Sequence, residues 1–154
     1  MFSQQLHKKE NTNDNLNTPK EAWLMIEKYI PKNSIIYEPF YNDTSKSHIY
    51  LHDMGFKVVS HIGDFFTNMP KFDVIITNPP FSKMREIIPK LMEHKFIIIA
   101  PLNIIVRQYF KPYANKISIL IPPKRIHFEG HDGERCPFDT IFITNLIDDK
   151  IIYL

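Results

Sequence analysis

The chain has 154 residues and a mass of 18.3 kDa, enough for one α/β domain and too little for two of ordinary size. Hydrophobic residues make up 44% and charged residues 23%, a balance that supports a packed core and excludes an intrinsically disordered chain. A formal net charge of +2 excludes a histone-like polycation, and the single cysteine, Cys136, excludes an internal disulfide framework.

Residues 1–16 are polar and Asn-rich and predict a loosely ordered arm ahead of one domain spanning 17–154. The arm has no apolar run suited to a signal peptide. The most apolar segment, Phe96 to Val106, is interrupted by Pro101 and Asn103 and is too short to span a bilayer. The expectation is a soluble cytoplasmic protein with no membrane partner.

Thr18-Pro19-Lys20-Glu21 reads as a helix start, with Thr18 as the cap, Pro19 at the first helical position and an acid three residues after the cap. Ala22, Trp23, Met25, Ile26 and Tyr29 continue an amphipathic helix that stops before Pro31. Ser34–Tyr37 is a buried strand running into Glu38-Pro39, Ser45–Met54 a helix closed by Gly55, and Phe56–Ser60 a second strand. Phe72–Thr77 is a third strand that ends abruptly at Asn78-Pro79-Pro80-Phe81. A helix from Lys83 to Glu93 follows, kinked or split by Pro89. Phe96–Ala100 is a strand, Ile104–Tyr113 a helix and Ile117–Ile121 a strand. Pro122 to Pro137 reads as a long loop, and Thr140–Asn145 with Lys150–Tyr153 as a closing antiparallel pair.

Strands alternating with helices predict an α/β fold, a Rossmann-like, doubly wound, mostly parallel sheet with an antiparallel C-terminal β pair. In such folds ligands bind beyond the carboxyl ends of the strands. Glu38-Pro39, the region of Asp64, and Asn78–Phe81 all fall there.

The chemistry concentrates in Phe72 to Ser82. A buried strand delivers an asparagine and then two prolines, which fix φ and remove two backbone donors. What remains is a rigid, acceptor-rich corner, the Asn78 side-chain oxygen and the carbonyls near Pro79, beside the aromatic face of Phe81. Such a corner suits a planar ring bearing an amino group, of the kind that base-modifying enzymes take out of a stack. Two hydrogen bonds to that amine draw its lone pair out of conjugation, so it can attack an electrophilic methyl in line, through orientation and electrostatics. Neither a metal nor a covalent enzyme intermediate is required. Prolines also end strands for purely structural reasons, and a bare Asn-Pro-Pro is weak by itself.

In context, Asn78-Pro79-Pro80-Phe81 resembles the catalytic motif of the S-adenosylmethionine-dependent amino-methyltransferases, above all those making N6-methyladenine. Gly63-Asp64-Phe65-Phe66 resembles the acidic-aromatic segment that holds the cofactor's adenine in that family. Glu38-Pro39-Phe40 resembles the acidic start of the cofactor loop, and Asn17-Thr18-Pro19 the N-terminal motif at the methionine end of the cofactor. In order and extent, from about Thr18 onward, the chain is similar to the EcoRI-type adenine modification methylases and their viral and phage relatives.

The resemblance implies S-adenosylmethionine as cofactor and transfer to the N6 amine of adenine in DNA. It assigns Asn78, Pro79, Pro80 and Phe81 to catalysis, and Thr18, Pro19, Glu38, Pro39, Phe40, Asp64 and Phe65 to the cofactor, with His61, able to hydrogen-bond a ribose hydroxyl, expected beside them. The expected location is the cytoplasm, or a site of viral replication in a host cell. RNA adenine, a protein glutamine, and a non-catalytic subunit serving an active partner remain alternatives.

Two features depart from the family pattern. The loop continuing Glu38-Pro39-Phe40 as Tyr41-Asn42-Asp43-Thr44 contains no glycine, although Asn42 and Asp43 tolerate left-handed geometry. Where a ribose-binding acid is expected after the second strand, the chain has His61.

Lys124, Arg125, His127, His131 and Arg135 make the 122–137 loop locally basic beside Phe128, which points to nucleic-acid contact through Lys124, Arg125, His127 and Phe128. Glu129, Asp132 and Glu134 dilute that charge. His127, His131 and Cys136 lack a second cysteine or matching pair, and His48 and His52, four residues apart, lack a third ligand, so no metal site is expected. Trp23 and the methionines are assigned to the core. The chain carries no added target-recognition segment of roughly 100 residues. Specificity is then low, read by the 122–137 loop, or supplied by a partner subunit or a second copy.

Overall fold

The computed structural model describes residues 17–40, 45–60, 68–128 and 139–154. Its strands in chain order are β1 (Ile35–Glu38), β2 (Lys57–Ser60), β3 (Val74–Thr77), β4 (Phe96–Pro101), β5 (Ser118–Ile121), β6 (Thr140–Thr144) and β7 (Ile151–Tyr153). The α-helices among the described residues are α1 (Lys20–Ile26), α2 (Ser47–Asp53) and α3 (Met84–Leu91). The strands form one sheet in the order β2-β1-β3-β4-β6-β5-β7.

Alternation along the strands builds two cores, because successive side chains leave a strand on opposite faces. Ile36, Val74, Ile76, Ile97 and Ile99 pack with Trp23, Ile26 and Leu51 of α1 and α2. Tyr37, Ile75, Phe96, Ile98 and Ala100 pack with Met84, Ile87, Ile88 and Leu91 of α3. Cover on both faces explains why β3 and β4 are apolar almost without interruption. The expected doubly wound α/β architecture is therefore present.

β2, β1, β3 and β4 are mutually parallel. The antiparallel strand is β6, which lies between β4 and β5. The predicted pairing of the last two strands with each other does not occur, since β7 adds to β5 in parallel. Side chains fix β6 where it is. The Thr144 hydroxyl donates to the Phe96 carbonyl at 2.7 Å, while the Asn145 amide accepts from the Phe96 N–H at 2.9 Å and donates to the His94 carbonyl at 2.7 Å.

Local signals held unevenly. Gly55 closes α2 as expected: at φ +99°, it lets its own N–H reach the His52 carbonyl and the Phe56 N–H reach the Leu51 carbonyl. α1 begins one residue later than expected, with Pro19 as its cap and no side-chain capping bond, so Thr18 does not cap it. Pro89 does not split α3. It lies on the exposed face, where solvent can satisfy the carbonyl left without a donor.

The helix expected over 104–113 is instead two 3-10 segments, Leu102–Val106 and Lys111–Lys116. Only Ile104 and Phe110 are buried there, while Ile105 and Val106 face outward, so no continuous apolar face supports an α-helix. Among the described residues no helix is long and apolar enough to cross a membrane.

Candidate active site

β1 and β3 are parallel neighbours, so Glu38 and Thr77 emerge from the same end of the sheet. Glu38 is 1% exposed and accepts a hydrogen bond from the Thr77 hydroxyl. The tie fixes the end of β1 to the residue immediately before Asn78. The sequence had singled out Glu38 and Asn78 separately; Thr77 is the link it missed, visible only as the one polar residue closing an aliphatic strand.

Asn78, Pro79 and Pro80 are buried in succession. The Asn78 Oδ1 atom is shielded from solvent and has no hydrogen-bond partner among the described residues. An acceptor left in that state costs about 1–3 kcal/mol, which a bound donor would recover. Pro80 is extended at φ −66° and ψ 116°, and its carbonyl accepts from the Lys83 N–H at 3.0 Å. The chain thereby turns through a 3-10 segment, Phe81–Lys83, into α3. Phe81 is half-buried, one side packed on the α1 and α2 core.

At the N-terminal side of α1, Thr18 is 4% exposed and its Oγ1 also has no partner among the described residues. The Trp23 indole N–H donates to the Ser47 hydroxyl at 3.0 Å, joining α1 to the first residue of α2. By connectivity that helix starts on the carboxyl side of β1, the side on which Glu38 lies.

Phe40 is 1% exposed and packs in the α3-side core with Tyr37, so its ring serves the fold. Residues 41–44, together with His61, Asp64 and Phe65, lie outside the described residues, as do His131, Arg135 and Cys136. The structure brings Glu38 to the same sheet end as the Asn78–Phe81 corner.

The basic segment needs correction. Lys124, Arg125 and His127 are exposed, but Phe128 is 7% exposed and packs in the core with Ile126. Burial of alternate residues anchors the segment to the sheet and removes Phe128 from any stacking surface. Arg125 is also engaged, with its Nε 3.7 Å from Asp139 Oδ1.

A cleft of about 600 Å³ opens beside the corner, lined by Phe81, Arg85 and Glu86 from one segment and Arg107, Gln108 and Tyr109 from another. The Arg85 guanidinium lies over the Tyr109 ring, 5.8 Å from its centroid. Burial pushes the Tyr109 phenol above its usual range, against the pull of Arg107 and Arg85. It stays protonated, a donor, at neutral pH.

Comparison with known proteins fits this arrangement. The family model of the adenine-specific methyltransferase EcoRI matches residues 32–117, more than half of the chain and inclusive of Glu38 and the Asn78–Phe81 corner. Among solved structures, a dimethyladenosine transferase from Plasmodium falciparum is similar with a TM-score of 0.52 at 13% identity, over 84% of this chain and 62% of that one. A proposed RNA methyltransferase from Pyrococcus horikoshii gives a TM-score of 0.49 at 14% identity, over 79% of each chain. A comparison with curated protein sequences finds no match. At 13% identity, the likeness to the Plasmodium structure concerns the fold.

Proposed function

We propose an activity for this chain from one premise: it belongs to the EcoRI family of adenine-specific methyltransferases. The activity is transfer of a methyl group from S-adenosylmethionine to the N6 amine of adenine in DNA. The observation that carries it is the buried Asn78 Oδ1, an acceptor without a partner among the described residues, held between a buried strand and two buried prolines.

The residues fit both ligands chemically. Thr18 Oγ1 and Asn78 Oδ1 are buried oxygens without partners among the described residues, and the Glu38 carboxylate lies at the sheet end. Oxygen acceptors suit the hydroxyls and amines of a nucleoside-bearing cofactor. Glu38 and Thr18 would hold it, together with Pro19, Pro39, His61, Asp64 and Phe65. S-adenosylmethionine supplies, when bound, a methyl group on a positively charged sulfur.

The chain's own work is on the amine. Asn78 Oδ1 accepts one N–H of the adenine amino group and the Pro79 carbonyl accepts the other. The nitrogen then presents its lone pair along one direction. Pro80 holds the corner rigid, and Phe81 stacks on the base. The new N–C bond would form as the methyl group's bond to sulfur breaks, leaving a neutral thioether; the nitrogen sheds one proton to water, and the ring recovers its conjugation. Fixed orientation and fixed dipoles supply the rate.

Two measurements test this. Isothermal titration with S-adenosylmethionine and S-adenosylhomocysteine should give micromolar binding, roughly −8 kcal/mol at 1 μM. Parallel assays with radiolabelled methyl donor on DNA, RNA and protein should place label on N6 of adenine in DNA. Label on RNA alone would replace the DNA substrate by RNA. Cofactor binding without transfer to any of the three would leave a non-catalytic subunit.

A further inference from the structure

The 600 Å³ cleft shares Phe81 with the proposed adenine site, and its remaining walls have no part in the proposed methyl transfer. Those walls carry two exposed arginines, Arg85 from the 81–86 segment and Arg107 from the 106–109 segment. Neither forms an ion pair among the described residues. The half-buried Tyr109 lines the same cleft, its ring under Arg85 and its phenol within the field of both cations. Glu86 lies on the same cleft, with Oε2 shielded from solvent and without a hydrogen-bond partner among the described residues.

Two arginines outside any ion pair, lining one cleft, are donors suited to a phosphodiester. A half-buried aromatic beneath one of them offers a platform for a base or sugar. The shielded Glu86 oxygen is an acceptor for an N–H or O–H group, and its charge keeps a phosphate toward the arginine end. The 124–128 segment does not present this pattern, because Arg125 is paired with Asp139 and Phe128 is buried.

We infer that the cleft between Phe81–Glu86 and Val106–Tyr109 seats the nucleotide next to the target adenine, with Arg85 and Arg107 clamping its phosphodiester. The inference rests on the nucleic-acid reading above. It moves the backbone contact away from the 124–128 segment, and it assigns Tyr109 and Glu86 to the sugar or base of the flanking nucleotide. Phe81, shared by corner and cleft, makes the flanking position contiguous with the reacting one.

The test is the salt dependence of binding for fluorescein-labelled adenine-containing DNA and RNA of the same sequence, with S-adenosylhomocysteine present. Arg85→Ala and Arg107→Ala should each weaken binding by about 3–10-fold, and the double variant should lower the slope of log K against log salt by about 2. Arg107→Lys should restore most of that slope. In turnover the alanine variants should raise KM while kcat at saturation stays near wild type. Lys57→Ala, a charge removed at the opposite end of the sheet, should leave affinity and slope alone. Wild-type slope in the double variant, or an equal loss in Lys57→Ala, overturns the clamp. A wild-type protein that binds cofactor but neither strand overturns both the clamp and the reading beneath it.

Discussion

The Thr77 hydroxyl donates to the Glu38 carboxylate across the β1–β3 pair, with both residues essentially excluded from solvent. One hydrogen bond thus couples the two strand ends from which the candidate cofactor and amine sites are built. A carboxylate at that depth is tolerable only when its oxygens are satisfied, and Thr77 satisfies one of them from within the sheet.

Thr77→Val keeps the shape and removes that donor. Stability should fall by about 1–3 kcal/mol, lowering Tm by roughly 2–4 °C per kcal/mol for a chain of this size. S-adenosylhomocysteine affinity should fall as well. Thermal melts and calorimetry read both, and an unchanged Tm with unchanged affinity would remove Thr77 from the site.

Asn78→Ala deletes the acceptor on which the proposed chemistry depends. Methyl transfer should drop by at least roughly 10²–10³-fold, the range seen when one preorganised electrostatic contact is lost. Cofactor affinity and the circular dichroism spectrum should stay near wild type. Turnover at the wild-type rate would sink the proposed role.

Much of this could be read from the chain alone. Val74–Ile76 and Phe96–Pro101 are apolar throughout, a pattern that only a strand covered on both faces requires, and Asn78-Pro79-Pro80-Phe81 follows the first of them after Thr77 alone. The features that escaped were non-local. The position of β6 depends on Thr144 and Asn145 reaching Phe96 and His94, about fifty residues away, which no local period encodes. Phe128 looked like a loop aromatic among basic residues, yet alternate burial with Ile126 takes it into the core. The 104–113 segment had apolar residues in number but not on one face, and a tally of hydrophobicity does not distinguish the two.

Ser47→Ala should strand the buried Trp23 indole N–H, since the Ser47 hydroxyl is its acceptor at 3.0 Å. The expected cost is about 1–3 kcal/mol, with α1 loosened from α2. Urea midpoints should report the loss, and Trp23 fluorescence should shift to the red. An unchanged midpoint would mean that packing alone holds the two helices together.

Tyr109 gives a pH signature. Burial raises its phenol above the ordinary value of 10.0, so between the two values the folded protein holds a proton that the unfolded chain has released. The stabilisation is complete below the ordinary value and is lost as pH rises through the raised one. Tyr109→Phe should therefore lose less stability than wild type across the alkaline range above about pH 10. Parallel urea curves for the two proteins over that range would show otherwise if no such group exists.

The place of β6 has a consequence for aggregation. Until residues 140–144 are made, β4 presents an unpaired edge carrying Phe-Ile-Ile-Ile-Ala, an uncharged, β-prone run of the kind that seeds intermolecular sheets. The partner arrives late, with Thr144 closing on the carbonyl of Phe96 from 48 residues downstream. A nascent or truncated chain lacking β6 would be sticky along that edge, and the penultimate strand protects the chain as much as it shapes it.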